Sequence, residues 1–274
     1  MHHPLFSIIT PVRKAERFLE RLLPKLDRQL YDKWELLVAI DDASDFAYAR
    51  FAHHPKIRFA PRVRRETGPG LARNDAFAIA SGEYIVKLDA DDWLRDDYLL
   101  KFATFFRENP ECKGALAYTR IVKDEASLPL FVPNISDQDS IDIESYSRLM
   151  VSTHVVCHRS VHVPWTAAAF AEDALRDATL VHNLGRLPIL GTEYIALIHP
   201  AQFTQSRRLS EAEIRHEYLR MAMENPGAEK FFLYRLVSNH YFDEHRKPGQ
   251  DWYEFWAEHA TEVPSIEEYV GFVT

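Results

Sequence analysis

The chain has 274 residues, 46% of them hydrophobic, which suits one large α/β domain or a domain with an appendage and argues against a disordered chain. Its formal charge of −8 at pH 7 argues against nucleic acid as the main partner, because a phosphate backbone calls for a basic surface. Two cysteines, Cys112 and Cys157, read as reduced thiols; with no signal peptide and no apolar run of about 18 residues, the expected setting is cytoplasmic, with peripheral contact at the inner face of a membrane left open.

Phe6 to Thr10 is a short apolar, β-rich run stopped by Pro11, and reads as a buried strand. Between residues 15 and 30, Phe18, Leu19, Leu22, Leu23, Leu26 and Leu30 recur at helical spacing, with Pro24 expected to kink or break the helix. Trp34 to Ile40 is a second buried strand, stopped by Asp41 and Asp42, and Lys56 to Ala60 is a weaker third. Gly68-Pro69-Gly70 reads as a turn, and Leu71 to Ala80 as a helix closed by Gly82. Tyr84 to Leu88 is a fourth strand ending in Asp89-Ala90-Asp91-Asp92. The alternation through about residue 109 predicts a mostly parallel sheet with helices on both faces. Ligands of such sheets bind beyond the carboxyl ends of the strands, where Thr10, Asp41, Asp42, Asp89 and Asp91 fall. Residues 152–158 and 192–198 read as strands and 172–182 as a helix. Beyond about residue 205 a helical extension follows. Its aromatic cluster of Trp252, Tyr253, Phe255 and Trp256 reads as core or as the interface of a homodimer.

Asp89-Ala90-Asp91 places two carboxylates one residue apart at the end of a buried strand. They repel and cost desolvation, which Mg²⁺ or Mn²⁺ shared with substrate phosphates would relieve. The competing reading is an acidic turn, with Asp92 or Asp96 capping the next helix. Asp41 or Asp42 suits the imide N–H of a uracil ring, or a turn cap. In the segment 68–76 the glycines permit close backbone approach and Arg73 offers fixed positive charge for a diphosphate. Lys56, Arg58, Arg62, Arg64 and Arg65 make the stretch before it basic, as a solvated face also would. Glu172-Asp173 opens a helix; a carboxylate there suits a general base, and equally a helix dipole. His154, Cys157 and His158 do not converge in a strand and read as structural or acceptor-lining residues.

Together these segments resemble the family 2 glycosyltransferases, which have the GT-A fold. The strings are Phe6–Val12, Trp34–Leu37 running into Asp41–Ser44, Gly70–Ala76, Gly82–Ile85 running into Asp89–Asp92, and Glu172-Asp173. The resemblance covers roughly residues 5–200. It implies an α/β GT-A domain over 1–205, with a nucleotide-binding half at 1–110 and an acceptor-binding half at 111–205, followed by a helical extension at 206–274. It further implies that Thr10, Pro11 and Val12 hold the nucleotide, Asp42 the base, and Arg73 and Asp89 the donor. Asp91, Asp89 and His199 are the implied metal or diphosphate contacts, with Mn²⁺ or Mg²⁺ as cofactor. Asp173, with Glu172 beside it, is the implied base of an inverting transfer. The donor it implies is a nucleotide diphosphate sugar, a UDP-sugar expected, and the acceptor a hydroxyl of a glycan, lipid-linked precursor or other molecule. Ala43 replaces the usual glycine, so the turn there must avoid positive φ; the Gln-x-x-Arg-Trp motif of processive synthases is missing, Gln205-Ser206-Arg207-Arg208 being a faint echo, which favours transfer of a single sugar. Two rival readings remain. One is a sugar nucleotidyltransferase, disfavoured because Pro11-Val12-Arg13-Lys14 lacks glycine. The other is a nucleotide-sugar-binding protein without catalysis.

Overall fold

The run Trp34–Ile40 is buried at every position, as a strand covered on both faces must be. The computed structural model describes residues 5–42, 48–61, 66, 68–123, 139–149, 153–168, 170–199, 210–259 and 266, the side chain of Glu211 excepted. Ala43, residues 62–65 and 205–208 lie outside them. The strands are β1 (Phe6–Val12), β2 (Trp34–Ile40), β3 (Ile57–Ala60), β4 (Tyr84–Lys87), β5 (Trp93–Leu94), β6 (Gly114–Val122), β7 (Ser140–Ile141), β8 (Val156–His158) and β9 (Leu187–Leu197). The α-helices are α1 (Glu16–Leu26), α2 (Pro69–Ala78), α3 (Tyr98–Glu108), α4 (Ile143–Ser147), α5 (Glu172–Leu184), α6 (Glu211–Glu224), α7 (Glu229–His245) and α8 (Trp252–His259).

The sheet order is β3-β2-β1-β4-β8-β6-β9-β5, with β7 on β9. The first four strands are parallel, as the alternation predicts. β8 then runs antiparallel to both β4 and β6, β6 and β9 are parallel, and β5 and β7 are antiparallel to β9. Alternate residues feed two layers. Phe6, Ile8, Leu36 and Val38 pack with α1 and α3. Ile9, Leu37 and Ala39 pack with α2 and α5. Met221 and Ala222 of α6 and Phe231 and Phe232 of α7 join that second layer, so the C-terminal helices share the core of the sheet. Phe255 and Trp256 are fully buried against Ile121 and Ile198, so within the chain this aromatic cluster is core.

Proline behaves differently from expectation at three places. β1 continues through Pro11 to Val12. Ile9 O accepts from Leu88 N, so Pro11, two residues on, faces the same side, beyond the β1–β4 register that ends at Ile9 and Lys87, and its missing N–H costs no ladder bond. α1 runs through Pro24 and ends at Leu26, which leaves the proline in the last turns; Leu30 lies past the end and is 65% exposed. Pro69 opens α2 at its first position, where its fixed φ and absent donor are tolerated; only Gly68, at φ 147°, is turn.

A buried polar cluster pins the sheet below the carboxyl edge. The Glu35 carboxylate accepts from Ser7 Oγ at 2.6 Å, from Ser81 N and Oγ at 2.7 Å, and from Arg58 Nη1 at 2.8 Å. Burial pushes the Glu35 carboxyl up, but these bonds outweigh it and hold the group below its ordinary value. Its stabilising contribution is therefore complete above the ordinary glutamate value and lost as pH falls through the lower folded one. Thermal melts are expected to show the wild-type midpoint falling more steeply below about pH 4.5 than that of Glu35→Gln; parallel curves would contradict the assignment.

Candidate active site

The two carboxylates after β2 separate in role. Asp41 accepts Gly68 N on both oxygens, at 3.0 and 2.9 Å, and so ties β2 to the start of α2. Asp42 accepts Lys14 N at 2.9 Å, just past β1. Lys14 has φ 52°, a left-handed conformation that costs a non-glycine residue about 1–2 kcal/mol. Thr10 is fully buried at this edge and its Oγ1 has no hydrogen-bond partner among the described residues; Val12 is buried and Pro11 half-buried. A cavity of about 260 Å³ opens nearby, lined by Ile40, Tyr48, Ala49, Ala52, Phe59, Ala60 and Pro61.

Arg73 of α2 joins segments far apart in the chain. Its Nη2 donates to Asp89 Oδ1 at 2.6 Å and its Nη1 to Glu172 Oε1 at 2.5 Å. The side chain is 3% exposed. Burial alone would push the guanidinium down, but Asp89, Glu172 and Asp173 outweigh it and hold Arg73 above its ordinary value. This approach needs Gly70. A Cβ there would lie 2.4 Å from Thr166 O and 2.7 Å from Glu172 Cγ. The glycine thus serves close contact between α2 and the segment that leads into α5. Asn74 fixes the same loop, donating to Trp165 O at 2.7 Å and accepting Trp165 N at 3.0 Å.

Asp91 and His199 meet across 108 positions, Asp91 Oδ2 lying 2.9 Å from His199 Nε2. Phe18 packs against the imidazole with ring centroids 4.8 Å apart. Burial, then the Asp89 charge, push the Asp91 carboxyl above the ordinary range despite His199. Asp92 is no helix cap. It accepts Tyr194 Oη at 2.6 Å and Leu197 N at 2.8 Å, and burial beside Asp91 and Asp89 drives its carboxyl well up. Asp96 pairs with Arg28 instead. Tyr194 Oη also accepts Asp89 N at 3.2 Å, so β9 orders the acidic loop from both ends. His154 stacks on the Tyr194 ring at 3.4 Å between centroids; burial and Lys87 push its imidazole well below the ordinary value, which keeps it neutral. Cys157 receives Arg176 Nη2 at 3.1 Å and His158 bonds Ser160, so these three residues form no common site.

Glu172 and Asp173 sit in the first turn of α5, after Ala171 at φ 56° and ψ 18°. Lys14 and Ala171 are the only non-glycine residues with positive φ among those described, and both border this edge, where strain is commonly stored. The Glu172 carboxyl is raised by burial against the pull of Arg73. Asp173 is the reverse: burial pushes it up, but Lys87 and Arg73 outweigh that and hold it below the usual carboxylate range. Lys87, read from sequence only as a strand residue, donates to Asp173 Oδ2 at 2.9 Å and to Asp177 Oδ2 at 3.2 Å.

The expected residues therefore share one edge. Arg73 joins Asp89 to Glu172, Lys87 holds Asp173, and Asp91 meets His199. The model of the family described as "Glycosyl transferase family 2" matches residues 7–156, more than half of the chain. The chain belongs to glycosyl transferase family 2. Among curated relatives, it is 32% identical over 109 residues to a poly(ribitol-phosphate) beta-glucosyltransferase of Bacillus spizizenii, covering 38% of this chain and 17% of that protein. It is 28% identical over 132 residues to the putative teichuronic acid biosynthesis glycosyltransferase TuaG of Bacillus subtilis, covering 47% and 52%. The matches thus span about half the length of one relative and less than a fifth of the other. Among solved structures, S. aureus TarS 1-349 in complex with UDP-GlcNAc aligns with TM-score 0.68 at 19% identity, over 95% of this chain and 82% of that one. A mannosyltransferase from Pyrobaculum calidifontis, in complex with GDP-Man and Mn²⁺, aligns with TM-score 0.61 at 15% identity, over 100% and 80%. At these identities the structural likeness bears on the fold, which is the GT-A architecture expected. No helix of the described residues is long and apolar enough to cross a membrane.

Arg73→Gln leaves Glu172, 6% exposed, without its countercharge. Urea unfolding is expected to show a loss of about 3–5 kcal/mol, largely recovered in Arg73→Gln/Glu172→Gln. A loss below about 1 kcal/mol would show that the pair does not hold α2 to α5.

Proposed function

We propose that the protein is an inverting glycosyltransferase that moves a single sugar from a nucleoside diphosphate donor, a UDP-sugar, to a hydroxyl of a glycan or lipid-linked acceptor. One observation carries the reading: carboxylates from the β4 loop and α5, far apart in sequence, are gathered around Arg73 at the carboxyl edge of the sheet in a family 2 chain. The nucleotide-sugar complexes of the structural neighbours support a donor of this class.

The residues also fit a divalent cation. Among the described residues, Asp89, Asp91, Asp92, Glu172, Asp173 and Asp177 gather here with Arg73, Lys87, Arg176 and Arg235, and their oxygens are the donors such a cation takes. Among the described residues no three His, Cys, Asp or Glu side chains form a preformed metal set, which suits an ion completed by substrate oxygens. Asp91 and Asp89 would hold it, with His199 beside them. Bound Mn²⁺ or Mg²⁺ would offset the charge of the departing diphosphate.

The roles of the protein groups follow. Asp42 and the Thr10–Val12 end of β1 receive the nucleoside, and Thr10 Oγ1 offers an unused polar atom there. Asp173 accepts the proton of the acceptor hydroxyl as its oxygen bonds to the anomeric carbon and the bond to the diphosphate breaks. Arg73 holds Asp89 and Glu172 in register between donor and acceptor sides, so that orientation supplies much of the acceleration.

Calorimetry with UDP, GDP and CDP, with and without Mn²⁺, tests this reading. UDP with Mn²⁺ is expected to bind tightest, and Asp91→Ala to weaken that binding by roughly 100-fold, the effect of about 2–3 kcal/mol. Failure of all three nucleotides to bind would overturn the proposal.

A further inference from the structure

Lys87 is the last residue of β4, and its side chain is completely buried. A buried ammonium has three protons to place. Here they face Asp173 Oδ2 at 2.9 Å, Asp177 Oδ2 at 3.2 Å and Thr153 O at 3.4 Å. No donor remains for a diphosphate, so Lys87 is not a donor ligand.

Its two carboxylates are unequal. Asp177 is fully buried and is also bonded by Arg176 Nη1 at 2.7 Å and Val155 N at 3.4 Å. It is a fixed anchor. The Asp173 side chain is 20% exposed, and among the described residues its only hydrogen bond is the one from Lys87 to Oδ2. Oδ1 is left without a hydrogen bond. Other charged groups that face Asp173 act at longer range: Arg73 from α2, the adjacent Glu172 and Arg235 from α7, while the neutral His154 lies before β8.

We propose that Lys87 is the positioning residue for the general base: anchored on Asp177 within the central sheet, it fixes Asp173 by Oδ2 and leaves Oδ1 as the oxygen that meets the acceptor hydroxyl. This rests on the transfer reading above. A carboxylate at the start of a helix can turn about its side-chain torsions, and the ammonium removes that freedom where small misplacements are costly.

A double-mutant cycle separates this role from general support of the fold. The readout is Mn²⁺-dependent release of UDP from UDP-glucose and UDP-N-acetylglucosamine, with water as acceptor. Lys87→Met and Asp173→Asn are each expected to lower kcat by roughly 100-fold, with donor KM and the calorimetric Kd for UDP changed less than about threefold. The double variant is expected to be no slower than Asp173→Asn. Additive losses, an unchanged kcat in Lys87→Met, or a UDP affinity that falls in step with kcat would each overturn the proposal. If Lys87→Met does not fold, Lys87→Gln enters the same cycle, because its amide cannot bridge both carboxylates as the ammonium does. A crystal structure of the variant supplies a readout independent of activity. Asp177 in place with Asp173 turned away supports the proposal, and an unmoved Asp173 refutes it. Failure of the wild-type protein to bind UDP, GDP or CDP would instead sink the transferase reading, while the crystal structure would still decide what Lys87 positions.

Discussion

The Arg73 guanidinium is the cross-link on which the site depends. It touches Asp89 beyond β4 and Glu172 at the start of α5, so this buried cation, with Lys87 of β4 beside it, sets the distance between the sheet edge and the helix that carries Asp173. A buried ion pair is weak evidence of net stability, because desolvation offsets much of the attraction, yet removing one partner is costly. The pairing is therefore best understood as specifying geometry. Gly70 permits the approach that makes it, and Asn74, one residue after Arg73, secures the loop that Gly70 touches.

The same economy of charge shapes the rest of the edge. Asp92 spends its hydrogen bonds on Tyr194 and Leu197, Asp41 on Gly68, and Asp177 on Lys87 and Arg176. Each secures a neighbouring element. Asp91 differs in its partner, a histidine ring 108 positions away. Acids that brace the fold and the acids proposed for chemistry therefore lie side by side along Asp89 to Asp92 and Glu172 to Asp177. A sequence motif does not separate them, because the difference lies in which backbone or side chain happens to face each oxygen.

What was legible in the chain follows from periodicity. β1, β2 and β4 are continuous apolar runs, and such runs flanked by helices announce a two-faced parallel layer. The acidic tripeptide was legible because it ends one of those runs. Lys87 was not, since a single lysine inside Tyr-Ile-Val-Lys-Leu reads as a strand position, and its partners Asp173 and Asp177 lie about ninety positions away. The antiparallel placement of β8 was hidden for a related reason: three residues carry no period from which direction can be inferred. Pro24 misled because the rule against interior proline concerns the lost bond, and two residues from the end of α1 little helix remains to break.

The matched family region stops at residue 156, whereas Glu172, Asp173 and His199 lie beyond it. Their placement is achieved by packing. α5 is buried through Leu175, Ala178, Leu180 and Val181 in the same layer as Phe231 and Phe232 of α7. Ile198, immediately before His199, packs with Phe255 and Trp256 of α8. The C-terminal helices thus support both α5, which carries Asp173, and the histidine that meets Asp91. Lys123, at the end of β6, is paired with Asp251 and Glu254 and closes this arrangement from the sheet side. The acidic loop and Arg73 belong to the part that the family shares, whereas Glu172 and His199, which meet them, are set by helices outside that part. Variation in the extension would therefore shift Asp173 and His199 while leaving Arg73 and the acidic loop in place.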